Sequence, residues 1–573
     1  MLNLLSKISQ LRVISRSSSF SFKGKDIGIP SIAEQLNVAH VVEGSVRKAG
    51  NRVRITAQLI EARSDTHLWS ETYDRELDDI FAIQDEISAA IVEALKDSLG
   101  LQIDAAPRVI AAANTEAHEA LLRGRYLVVQ RTSDTVGGAV REFEKAVALD
   151  PDYALAHAEL AMAILLQTRG NYGDLDRAEA IDRATSHVQQ AITLDPTLAE
   201  AHAAKGFLSS MRLNPEEALT HYQHAIELNP NYSIVYNWMG ILFHELGLYR
   251  EELATYEKSL ALDPLSTPAI TSYLVALIDR NRLVDADREI EKLASLHPFW
   301  HAYFRGIRRS VGGKWANGLL GRLGALRISP EHFWTRLLLT WEFAAIGLER
   351  EALAISEFQY HYVQTYLGKP EEAVKVAEDL YAADPSDALA RLDLGRALAG
   401  AGDYVRARPF LEEWWHRSGK RVTRLPFQFT NIDAAALIAA RRAAGEEAGI
   451  GELLAAIRDN VRRSREAGIT RANQMFSVDF EDGFAAYLTG ERDTGLALIA
   501  KAVEDGYFIA QKEAYFQMLY DDPGFAPIRA SQEARQVRER NRFLAIVCTD
   551  NPYAAVWQRA EGTCERFAAA GGN

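Results

Sequence analysis

The clearest alternation of apolar and polar residues lies between Arg52 and Leu59. Val53, Ile55, Ala57 and Leu59 alternate there with Arg52, Arg54, Thr56 and Gln58. A period of two sends successive side chains to opposite faces, so the run predicts a strand with one buried face. The Val-rich run His40–Arg47 precedes it, with Ala49-Gly50-Asn51 as a tight-turn signal between the two. Ser64-Asp65 marks a second turn and Thr66–Tyr73 a third strand. From Leu77 to Leu99 the period becomes helical, with Ile80, Ile83, Ile87, Ile91 and Leu95 on one face. Asp78 and Asp79 stand in its first turn, where the helix dipole favours acids. Upstream, Met1–Ser9 is apolar at helical spacing and Leu11–Ser15 reads as a short strand. Pro30, after Gly28, opens a short helix through Leu36. Residues 1–100 thus predict one mixed α/β unit, with 101–114 as a linker.

Helical periodicity then dominates, and it repeats. Prolines at 151, 196, 230, 264 and 298 are spaced by 45, 34, 34 and 34 residues. Three successive 34-residue periods predict a helix–turn–helix array over 115–298. Small and aromatic residues recur at matching places. Gly206, Ala218, Tyr222 and Ala225 precede Pro230, and Gly240, Gly247, Tyr249 and Tyr256 precede Pro264. The small residues let paired helices approach, the aromatic fills the gap, and the proline ends the second helix. A first unit over about Glu116–Pro151 carries Gly124, Ala139, Phe143 and Ala146. The second holds about 11 extra residues near Asn171–Arg177, expected to form a loop. Over 299–369 the register degrades. Pro330 closes a 32-residue unit, and Trp300, Trp315, Trp334 and Trp341 predict a bulkier core. Repeats resume over 370–415, with Gly395, Gly402, Tyr404, Ala407 and Leu411 in register. Residues 416–540 predict irregular helical hairpins, one of them Ala485–Val503 turning at Gly490. The tail, 541–573, is expected to fray, with loosening from Pro523.

Composition narrows the function classes. The 573 residues are 48% apolar and 25% charged, enough apolar surface for a folded chain. The net charge of −14 argues against a general nucleic-acid binder, which needs a basic face. Two cysteines exclude a disulfide-scaffolded fold and a multi-cysteine metal site. No run of about 18 apolar residues predicts a membrane span. Lys7, Arg12, Arg16, Lys23 and Lys25 precede the first acid, Asp26, a composition shared with mitochondrial transit peptides. Leu11, Val13 and Ile14 argue instead for entry into a folded domain.

Signals for catalysis are weak. Ser310–Trp315 (SVGGKW) places Trp315 where a phosphate loop needs a hydroxyl, so it reads as a turn between helices. His221 with His224, and His297 with His301, have one-face spacing but make at most half a metal site. No catalytic residue, cofactor or metal is predicted. Cys548 and Cys564 lie 16 apart; two free thiols are the economical reading and one disulfide the other. Arg47, Arg52 and Arg54 read as a solvated strand face rather than an anion site.

The segments Arg12–Lys25 (RVISRSSSFSFKGK), His40–Gly50 (HVVEGSVRKAG), Arg52–Leu59 (RVRITAQL), His67–Arg75 (HLWSETYDR) and Ile80–Ile87 (IFAIQDEI) resemble the bacterial TolB-like amino-terminal domain. Members of that family carry an earlier strand and helix, so the resemblance implies a domain incomplete at its start. The 34-residue pattern resembles the tetratricopeptide repeat. Together these resemblances imply a mostly α protein: a helical superhelix, or solenoid, preceded by a small α/β unit. They imply a groove lined by the first helix of each pair, at Glu200, Phe207, Asn237, His244, Glu245, Thr271, Asp279 and Arg396. The implied function is a non-enzymatic scaffold for a protein or peptide partner. The clamp some such repeats use for carboxyl-terminal peptides is not matched, because Lys205 stands at a packing position and Asn237 lacks a neighbouring Lys. The alternative is the regulatory portion of a larger bacterial signalling protein. Its output would come from a class III adenylate cyclase, a winged-helix regulator or a membrane-anchored module. The expected compartment is the cytoplasm, or the periplasm or membrane surface if an upstream span exists.

Overall fold

The computed structural model describes residues 5–49, 52–76, 80–99, 114–169, 172–173, 175–355, 364, 368–422, 432–469, 477–509 and 513–570. Among the described residues the chain is mostly helical, with one three-stranded antiparallel sheet whose strands lie side by side in chain order. It divides into two compact units. One comprises residues 1–211, 216–240 and 254–270; the other comprises 212–215, 241–253 and 271–573.

In the first unit β1 is His40–Ala49, β2 is Arg52–Glu61 and β3 is Thr66–Glu76. The predicted alternation in β2 buries Val53, Ala57 and Leu59. These pack on Tyr73 of β3 and on Ile87, Ile91 and Leu95 of the helix Ile80–Leu99. The side chains of Ile80 and Ile83, and Asp78 and Asp79, lie outside the described residues, as does most of the expected helix before Ser6. Arg54 stays on the solvated face, paired with Asp74 at 2.8 Å. The short helix Ile29–Leu36 begins at Pro30 as expected. Leu11–Ser15 is not a strand. It is extended, but Val13 and Ser15 donate their N–H groups to Asn231 and Leu262 rather than to the sheet. The helix Arg16–Phe20 follows.

The repeats form because their proline turns break the helices in one way. Asp150, Asp195, His297 and Asp384 each end a helix at φ between −153° and −143° and ψ between 86° and 94°. A proline's ring disfavours helical backbone at the residue before it, so each helix stops one residue short. Side chains six residues past the proline secure the turn. His157 Nε2 donates to Pro151 O, His202 Nε2 to Pro196 O, Tyr236 Oη to Pro230 O and Arg391 Nη1 to Pro385 O, at 2.9–3.1 Å. Pro298 differs: it sits in the first turn of the next helix, Pro298–Ser310.

Within a pair the two helices differ in burial. The second helices bury one stripe, such as Ala180, Ala184, Val188 and Ala191 on Arg177–Leu194, or Ala218, Tyr222 and Ala225 on Pro215–Leu228. The first helices Ala154–Leu166 and Ala199–Met211 are buried nearly all round. Glycine sets the approach at three crossings. A Cβ on Gly124, Gly206 or Gly240 would stand 2.4–2.5 Å from the ring of Phe143, Tyr222 or Tyr256.

In the second unit Ser310–Trp315 is the turn between Pro298–Ser310 and Trp315–Leu326, with Gly312 and Gly313 at positive φ. The hairpin Val478–Leu488 and Arg492–Glu504 turns at Gly490. The carboxyl-terminal region is ordered, contrary to the frayed tail expected. The helix Ala526–Thr549 buries Phe543 and Val547, and Trp557 packs with them against Trp315 and Phe343. Glu539 reaches from that helix to accept the backbone N–H of Ala316 at 2.9 Å. Cys548 and Cys564 form a disulfide with Cα atoms 5.5 Å apart. The free-thiol reading is thereby corrected: the tail packs back on its own helix, and sequence spacing alone could not show that approach.

Candidate functional site

In the first unit one guanidinium ties three successive first helices together. Arg125 Nε donates to Glu159 Oε1 at 2.6 Å, and Nη2 donates to Glu200 Oε1 at 3.3 Å. The three side chains are only 17%, 16% and 10% exposed. Burial works against the Arg125 charge, but Glu159 and then Glu200 outweigh it, so its pKa is raised. The Tyr153 hydroxyl, bonded to His118 at 2.9 Å, is pushed up to about 12, chiefly by burial. Phe207 stacks on Trp238, centroids 5.3 Å apart and planes 6° apart, and Arg169 lies over its ring at 5.4 Å. Asn237 is 2% exposed, and its Oδ1 has no hydrogen-bond partner among the described residues.

Two histidine pairs join first to second helices. His157 Nδ1 lies 3.0 Å from His187 Nδ1, and His202 Nδ1 lies 3.2 Å from His221 Nδ1. Each first-helix histidine donates through Nε2 to a proline carbonyl, so its neutral Nδ1 must accept from the partner ring. Burial, then the neighbouring His157, lowers the His187 pKa to about 4. His224 meets His202 edge-on at 4.3 Å. Among the described residues no group of three His, Cys, Asp or Glu side chains is placed to hold a metal ion.

In the second unit the polar residues again bind one another. Glu252 accepts from His244 Nδ1 at 2.7 Å and from Arg280 Nη2 at 2.8 Å. Burial opposes the Glu252 charge, but His244 and Arg280 overcome it and its pKa is lowered. Arg396 makes a two-pronged pair with Asp433 at 2.5 and 2.7 Å and a third bond to Asp393 at 3.1 Å. Arg322 pairs with Glu342 at 2.8 Å and lies over Tyr303 at 5.2 Å. Burial there raises the Glu342 carboxyl to about 7, against the pull of Arg322.

The eight sequence-implied positions therefore divide. Glu200, Phe207, Asn237, Asp279 and Arg396 are buried, while His244, Glu245 and Thr271 are half-buried. Sequence reasoning missed Arg125, Glu159, Glu252, Arg280 and Asp433. One signal was present: Arg125 and Glu159 lie 34 residues apart, one repeat length, with opposite charge.

Residues 215–247 match the TPR repeat family, and residues 364–418 match the tetratricopeptide repeat family. The chain carries tetratricopeptide repeats. A protein of Rhizobium meliloti (strain 1021) named "Putative adenylate cyclase 3" is 36% identical over 214 residues, which is 37% of this chain and 36% of that one. The Hsp70-Hsp90 organizing protein of Triticum aestivum is 29% identical over 150 residues, 26% of this chain and 25% of that one. The chain thus spans about a third or less of the length of these curated relatives. Among solved structures, a thermophilic TPR protein of Thermus thermophilus is 17% identical, at a TM-score of 0.27, over 32% of this chain and 92% of that one. Pseudomonas aeruginosa pilF is 19% identical, at a TM-score of 0.26, over 42% of this chain and 98% of that one. Overlays this loose assign the tetratricopeptide repeats here neither a function nor a partner.

Proposed function

We propose that the chain is a non-enzymatic scaffold that holds a protein or peptide partner on the first helices of its tetratricopeptide repeats. The observation that carries this reading is the repeat match at 215–247, which contains His244 and Glu245 at half-buried positions. These two, with Thr271, are the side chains a partner would meet. Glu200, Phe207, Asn237, Asp279 and Arg396 form the supporting layer that fixes helix spacing. The α/β unit orients the first repeats or docks a second partner. A photo-crosslinker at 245 should capture a discrete protein from source cells, and one at Val405, 86% exposed on a second helix, should not. Equal capture at both positions refutes the assignment.

A second reading is that the chain is the regulatory portion of a larger signalling protein. It is supported by the 36% identity over 214 residues to the protein named as an adenylate cyclase. Blotting source cells with an antibody to the repeats tests it. A band well above 63.7 kDa supports the larger protein, and a band at that mass supports a scaffold acting alone.

A further inference from the structure

The first unit holds a stretch of its own chain as a peptide. Residues 11–18 cross two successive proline turns, and both their backbone and their serine hydroxyls are bonded there. Asn231 reads backbone in both senses: its Nδ2 donates to Leu11 O at 2.9 Å, and its Oδ1 accepts from Val13 N–H at 3.0 Å. Leu262 O accepts from Ser15 N–H at 2.9 Å, and Ala261 O accepts from Arg12 Nη1 at 2.7 Å. The hydroxyls of Ser17 and Ser18 both donate to the Asp263 carboxylate, and Ser18 Oγ accepts from Leu265 N–H at 2.9 Å. The apolar part is small, with Ile14 and Phe22 packing against Leu36 and the half-buried Leu265. Arg16 lies over the Phe20 ring at 4.9 Å. Backbone recognition and a serine pair on a carboxylate together form a reading surface.

We propose that the turn edge bearing Asn231 and Asp263 is a peptide-binding surface, held in cis by residues 11–22. In trans it takes a segment of a partner with the same chemistry and shape: an extended lead carrying an arginine, then a helical turn carrying adjacent serines. This extends the scaffold reading but uses a different face. Turn-edge hydrogen bonds supply register, the serine pair on Asp263 supplies selectivity, and the cis segment sets the threshold a partner must exceed. A tethered competitor multiplies the apparent dissociation constant by the reciprocal of the fraction of time it leaves the surface free.

The test uses the full chain and a fluorescent peptide of residues 11–22, read by anisotropy. Ser17→Ala with Ser18→Ala in the chain loosens the cis segment and leaves Asn231 and Asp263 intact. The free wild-type peptide should bind this variant at least tenfold tighter than the wild-type chain. Adding Asp263→Asn should remove that gain, and a peptide with both serines changed to alanine should bind at least tenfold more weakly. Equal binding of the two peptides, or indifference to Asp263→Asn, overturns it. Hydrogen exchange on the wild-type chain gives a readout independent of the variants. The amides of Val13 and Ser15 should exchange well before those of the repeat helices, and exchange only with global unfolding overturns the proposal. Failure here leaves crosslinking at 245 unaffected, since the two surfaces share no residue.

Discussion

Gly240→Ala adds one methyl group at a crossing with no space for it. The new Cβ would stand 2.4 Å from Cε1 and 2.6 Å from Cδ1 of Tyr256, where 3.0 Å is already the practical limit. Tyr256 is 3% exposed, so its ring cannot swing into solvent. Overpacking of this kind costs about 1–3 kcal/mol. Alanine's better helix propensity returns about 1 kcal/mol. The net expectation is a loss of about 0–2 kcal/mol confined to the pair Ser233–Glu245 and Tyr249–Leu262. A repeat array need not unfold in one step, so the assay is hydrogen exchange by mass spectrometry over 233–262, with urea melts alongside. Gly324→Ala is the control, because nothing lies within 4 Å of its Cβ; it should gain up to about 1 kcal/mol. The decisive comparison is a double-mutant cycle. Tyr256→Ala alone costs about 3–5 kcal/mol by analogy with other aromatic truncations. In that background Gly240→Ala should cost nothing or stabilise, a coupling of about 1–3 kcal/mol. If the two changes add, the ring is not what excludes the methyl group, and the glycine–aromatic account of the crossing is wrong.

Other consequences can be checked in parallel. Arg396→Ala leaves Asp393 and Asp433 buried without their cation and should cost about 3–5 kcal/mol in urea melts. Changing Arg396 and Asp433 to Leu with Asp393→Asn should recover most of that loss. Reducing the Cys548–Cys564 bond opens a loop spanning 16 positions and should cost about 3 kcal/mol, seen first as lost exchange protection over 557–569. The pH dependence has two opposed arms. His187 is held near 4, below its unfolded value, so the unfolded chain takes the proton first; its contribution to stability is lost as pH falls from about 6.5 toward 4. Glu342 is raised to about 7, so its contribution is lost as pH rises from about 4.5 through 7. His187→Gln should flatten the acid arm of the melting curve and Glu342→Gln the neutral arm. An unchanged slope in either variant rejects the corresponding assignment.

The legible parts of the fold were those written locally. The alternation at Val53–Leu59 marks a strand because β2 has one wet face and one dry one. Proline spacing marks the helix ends because the ring acts on its immediate predecessor, as the shared geometry at Asp150, Asp195 and Asp384 shows. The glycine–aromatic pairs at Gly206 and Gly240 were legible for the same reason: each partner sits 16 residues on, within its own hairpin. What escaped was set by distant chain. Leu11–Ser15 has a strand's composition, but Asn231 and Leu262 claim its N–H groups, and no local pattern announces partners more than 200 residues away. The disulfide was not favoured on similar grounds, because the approach of Cys564 to Cys548 is set by how the tail packs. The eight candidate positions lie on the helices 199–211, 233–245, 267–279 and 388–400, each the first of its pair. Their burial was not foreseen, because charges such as Arg396 read as surface until Asp433 is brought against them.

The contact between Ser17, Ser18 and Asp263 also orders events during synthesis. The serines leave the ribosome about 245 residues before the carboxylate that receives them. At about 5–20 residues per second, the segment waits on the order of 10–50 s with its hydroxyls and N–H groups answered only by water. Burial of the serine pair therefore coincides with translation of the repeat that ends at Pro264, and the first unit closes only when its last repeat is made.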